Sequence, residues 1–126
     1  MDKDLLARGL QVRKEVLGKE YVENAMKTAN EFNQPFQEFL SEYCWGAVWT
    51  REGLPRKTRS MLNLAMLTAL GKNHELKLHI RGALTNGVTR DEIREVFIQA
   101  SVYCGVPAGV EAFRCAKEVF AELDGK

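Results

Sequence analysis

The chain is poor in the residues that usually announce chemistry or a special compartment. Its three cysteines, Cys44, Cys104 and Cys115, are scattered through 126 residues, and none stands in a CxxC pair. An odd, unpatterned set argues against a disulfide framework. It reads as inert thiols in a reducing compartment, so the expected location is cytoplasmic. The two histidines, His74 and His79, lack an HExxH spacing, so no metal site is expected. Charge of one sign is also missing. With 18 basic and 17 acidic residues the formal net charge is +1, which gives no bulk attraction to nucleic acid or to an anionic membrane. No apolar run approaches the ~18 residues of a membrane span. The opening MDKDLLARGLQ has no apolar core of the kind a secretory signal carries. Phosphate-binding glycine loops and a Ser-His-Asp order are absent too.

What is present is helical periodicity from end to end. Hydrophobic residues make up 45% and charged residues 28%, the balance of an ordinary globular protein, and the length suits a single domain over 1–126. Apolar residues recur at helical spacing with no alternating strand pattern, so the fold class is all-α, a multi-helix bundle. Helices are expected over about Lys3–Leu17 and Tyr21–Asn30. A third follows Pro35, with Phe36, Phe39, Leu40, Tyr43 and Ala47 on one face. Pro55 opens a fourth that stops near Gly71. Its stretch Met61–Leu70 has only Asn63 and Thr68 as polar residues, which points to burial on most sides and to a partner subunit. Asn73 is the expected cap of a fifth helix, with Leu76, Ile80, Ala83 and Leu84 inside. Thr89-Arg90-Asp91-Glu92 spells a capping box for a sixth, and Gly105-Val106-Pro107 breaks the chain before a seventh.

Four features stand out as candidates for chemistry. His79 sits on or beside the inner stripe of the fifth helix, as a satisfied core histidine or as an acid–base group. Arg51, Arg56, Lys57 and Arg59 fall within nine positions, and the last three occupy the first turns of the fourth helix, the wrong end for cations. Either water screens them or an acidic ligand docks there. Trp45 and Trp49 form an aromatic pair, as core anchors or as one wall of a site. The small-residue run around Cys104 and Gly105 is either a tight helix connection or an approach of backbone N–H groups, at Ala108 and Gly109, to an oxyanion.

Longer segments carry a resemblance. Trp45-Gly46-Ala47-Val48-Trp49-Thr50-Arg51-Glu52-Gly53-Leu54 is similar to the WGxxWxRxGL segment of the carboxymuconolactone decarboxylase family. Lys57-Thr58-Arg59-Ser60 continues it. Glu75 to Gly87 resembles that family's ELxxHxxxALxNG helix, and Thr89 to Ala108 its closing segment, so the match spans about 36–120 behind N-terminal helices over 1–35. The resemblance implies an alkylhydroperoxidase D-like bundle that assembles as a homo-oligomer, a trimer or hexamer. It implies decarboxylation of a small acidic lactone in protocatechuate catabolism. Peroxidases of the wider superfamily carry a CxxCxxxH helix. Aligned on His79, their two thiols fall at Lys72 and Glu75, which argues against disulfide peroxidase chemistry. A non-catalytic, ligand-binding oligomer is the other alternative.

The resemblance also assigns roles. In γ-carboxymuconolactone the departing carboxylate is conjugated through a C=C bond to the lactone carbonyl, so no cofactor is required. Arg51 and Arg59 are expected to anchor carboxylates and His79 to protonate the dienolate. Arg81, or the backbone after Gly105 beside Cys104, is expected to steady the oxyanion. Trp45 and Trp49 are expected to pack the ring.

Overall fold

A computed structural model describes residues 2–126 and divides them into two compact units, one ending at Pro55 and one spanning Arg56–Lys126. All regular structure among the described residues is helical. No helix among them is long and apolar enough to cross a membrane.

The first unit holds α1 (Lys3–Leu17), α2 (Lys19–Thr28), α3 (Gln34–Leu40) and a π-helix (Ser41–Val48). Asp2 caps α1 by accepting from the amides of Asp4 and Leu5. Gly18, at φ 102°, turns the chain directly into α2. The expected third helix is therefore two elements. After Leu40 the hydrogen bonding widens, and the Trp49 amide reaches back five residues to the Cys44 carbonyl at 3.1 Å. Phe36, Phe39 and Tyr43 lie outward and exposed, while Ser41, Trp45, Gly46 and Trp49 are buried. Trp45 and Trp49 join Val12 and Val16 in this unit's core.

The second unit is a four-helix arrangement of α4 (Arg56–Leu70), α5 (Asn73–Thr85), α6 (Arg90–Cys104) and α7 (Val106–Leu123). Each buries one stripe. Leu64, Leu76, Ile80, Ala83, Ile93, Phe97, Ala112 and Val119 form a common core, and Phe97 meets Phe113 edge to face at 5.7 Å. The capping box at the start of α6 is present in both directions. Ion pairs lace the outside, Lys57 to Glu92 at 3.1 Å and Arg90 to Asp124 at 2.7 Å. Asn73 is not a cap. It is the first residue of α5, and its side-chain amide donates to Glu111 of α7 at 3.0 Å. The apolar fourth helix is buried on one side only: Ser60, Leu64 and Thr68 face the core, while Leu62, Met66 and Leu70 are exposed.

Candidate functional site

The candidate site is built on two neighbouring helices of the second unit. His79 lies on α5 one residue before the fully buried Ile80, so its ring starts beside the core stripe and is half-buried. Its Nδ1 stands 3.4 Å from Nδ2 of Asn63 on α4. Burial pushes the imidazole down to about 4, a shift that Glu75 one turn earlier only partly opposes. The ring is therefore neutral near pH 7. His74 is exposed at the start of α5.

Arg59 is half-buried and sits one turn before Asn63, so the two share the α4 face that meets His79. Lys57 turns to Glu92 of α6. Arg81 is two positions beyond His79, on another face of α5, and its guanidinium pairs with Glu122 of α7.

Gly105 takes φ 108° between α6 and α7, a conformation that favours glycine. Its N–H donates to the Ser101 carbonyl at 3.0 Å, and the Gly109 N–H donates to the Gly105 carbonyl at 3.4 Å. These amides are engaged in helix ends rather than presented to a ligand. Cys104 is exposed and lines a hollow of about 430 Å³ with Met61, Leu62, Gln99 and Tyr103. His79 is not among the residues lining it.

In the first unit, Trp45 and Trp49 stack at 4.8 Å with their planes 27° apart, each 4% exposed. Arg51 follows them on an exposed turn, its amide donating to the Val48 carbonyl at 3.1 Å. Cys44 in this unit and Cys115 in the other both have thiols pushed up by burial, which makes them poor nucleophiles.

The model of the carboxymuconolactone decarboxylase family matches residues 34–118, most of the chain. The chain belongs to that family. Among its relatives is a 4-carboxymuconolactone decarboxylase of Acinetobacter baylyi, 47% identical over 97% of this chain and 91% of the relative. A nitrosuccinic acid decarboxylase of Metarhizium robertsii is also 47% identical, over 97% of this chain and 85% of its own. An uncharacterized 15.0 kDa protein of Paracoccus denitrificans is 38% identical over 68% of this chain and 65% of its own.

Within this family member, Asn63 is the residue that sequence reasoning passed over. Its signal was present. It is one of only two polar residues in the apolar run Met61–Leu70, and such a residue needs a partner when buried. Thr68, the other, bonds back to the Leu64 carbonyl of its own helix at 2.7 Å, whereas Asn63 reaches another helix.

Proposed function

We propose that the chain is a carboxy-lyase that converts 4-carboxymuconolactone to its enol-lactone without a cofactor. The observation that carries this reading is the 47% identity over nearly the whole length to a protein of that named activity. The reaction suits a protein offering little beyond cations and an imidazole. As CO2 leaves, the electron pair of the broken C–C bond moves through the ring C=C to the lactone carbonyl oxygen. The resulting dienolate then takes one proton on the carbon next to that carbonyl.

The sequence reading gives His79 that proton transfer. An imidazole held at about 4 has no spare proton near neutrality, so its better role is a neutral N–H donor to the carbonyl oxygen where charge collects. Such a donor acts on charge that develops only as the reaction proceeds. Solvent then supplies the proton on carbon. Arg59, on the helix face that meets His79, is the proposed carboxylate anchor. Arg51 is a second candidate on the strength of the matching motif. Arg81 and the backbone after Gly105 are weaker oxyanion candidates, because the Arg81 guanidinium pairs with Glu122 and the Gly109 N–H already donates to the Gly105 carbonyl.

Two relatives with different substrates at equal identity favour a second reading, in which the acceptor is a nitro group. Nitrosuccinate also loses CO2 beside a group that absorbs the electron pair, and it too keeps a second carboxylate. The test is CO2 release from both acids in parallel. Turnover of the lactone is expected. No turnover of the lactone overturns the first reading, and turnover of nitrosuccinate alone replaces it with the second.

The alkylhydroperoxidase D-like fold and homo-oligomeric assembly belong to the same proposal. Leu62, Met66 and Leu70 repeat every four residues along α4 and are 47%, 52% and 67% exposed. A stripe of that kind is unusual on a monomer's surface. Native mass spectrometry is expected to find a trimer or a multiple of it, and a monomer would contradict the assembly.

A further inference from the structure

We propose that Asn63 is a positioning residue that fixes the neutral His79 ring as its Nε2–H tautomer, through the 3.4 Å approach of Asn63 Nδ2 to His79 Nδ1. The argument is one of donors and acceptors. A carboxamide nitrogen carries two protons and no available lone pair, so it donates only. The imidazole nitrogen facing it must then accept, and an accepting nitrogen carries no proton. A neutral ring has one N–H, which is left to Nε2. Protonating Nδ1 as well would set N–H against N–H, so the contact and the burial of the ring favour the same neutral state. Glu75 on the same helix is the carboxylate that opposes it.

The choice of asparagine matters. Leucine at 63 would keep the packing and lose the donor. Aspartate would keep the shape and accept only, which reverses the polarity of the contact. The consequence for catalysis rests on the proposed decarboxylase reading. There the Nε2–H is the donor to the growing oxyanion, and the other tautomer would present a lone pair to negative charge.

The test is 15N NMR of the intact protein near pH 7. Only two histidines are present, so His74→Gln assigns the spectrum. The expected result is a protonated Nε2 and a bare Nδ1 on His79; a protonated Nδ1, or averaging between tautomers, overturns the proposal. Asn63→Asp is expected to put a proton on Nδ1, whether or not Nε2 keeps its own, and a bare Nδ1 in that variant overturns it as well. Asn63→Leu is expected to lower kcat roughly tenfold at unchanged KM, the kinetic weight of one net hydrogen bond. An unaltered kcat removes the positioning role. The wild-type spectrum needs no substrate. A correct tautomer in a protein inert toward the lactone sinks only the proposed function, and turnover with the wrong tautomer sinks only this inference.

Discussion

Gly9 of α1 and Gly46 of the π-helix meet backbone to backbone. A β-carbon on Gly9 would lie 2.7 Å from the Gly46 amide nitrogen and would overlap the Ser41 carbonyl oxygen. Neither contact involves a flexible side chain, so relief requires one helix to move. Gly9→Ala is expected to destabilise the protein by at least the ~1–3 kcal/mol typical of overpacking, read as a lower urea midpoint. An unchanged midpoint would mean that the two helices separate freely.

Arg13 is 4% exposed, and its Nη1 donates to Gln37 Oε1 at 3.0 Å and Ser41 Oγ at 3.1 Å. Burial lowers its proton affinity, an effect that Tyr21 partly offsets. Arg13→Ala leaves the fully buried Ser41 without this donor. The expected cost is about 1–3 kcal/mol from the stranded polar group, before any loss of packing. Thermal unfolding measures it, and a variant as stable as the parent would show that water or a neighbour replaces the guanidinium.

His79 makes stability depend on pH. Its folded value of about 4 lies below the ordinary 6.5, so the unfolded chain binds the extra proton in between. This contribution is present above 6.5 and is lost as pH falls toward 4. From pH 7 to pH 5 the wild type is expected to lose about 2 kcal/mol more than His79→Gln, since groups common to both cancel. Equal losses in the two proteins would place the imidazole in water.

Catalytically, His79→Ala is expected to lower kcat by ~10²–10³, the scale of one lost oxyanion donor. The wild-type kcat should show no inflection near 6.5, because the ring is already neutral there. A titration at that pH, with activity requiring the protonated ring, would restore the acid role.

For anchoring, Arg59→Ala is expected to raise KM by roughly 10- to 100-fold, the range of a charged hydrogen bond. Arg51→Ala tests the motif-based candidate in the same way. An unchanged KM for either counts against that anchor.

Much of this was readable along the chain because the signals are local. The ends of α1, α4 and α6 were fixed by Gly18, Pro55 and the Thr89–Glu92 box. Each acts within one helical turn, and the structure places helix boundaries beside all of them. The inward stripe of α5 followed from spacing, and it carried His79 to the edge of the core. Asn73 misled because an asparagine before an apolar helix has two uses, and Glu111 on a helix far along the sequence decided between them.

By itself the sequence determined that the chain is helical, which family it belongs to, and which imidazole and arginines deserve testing, since periodicity, caps and motifs are properties of neighbouring residues. The tertiary structure alone decided the rest. The π-helix goes with a close approach of α1 at Gly46, and no local propensity encodes that. The neutrality of His79 comes from burial in the folded chain, and its facing partner Asn63 stands sixteen positions earlier on α4. Desolvation and hydrogen-bond polarity depend on what surrounds a group in space, and the order of residues along the chain specifies that only once the chain has folded.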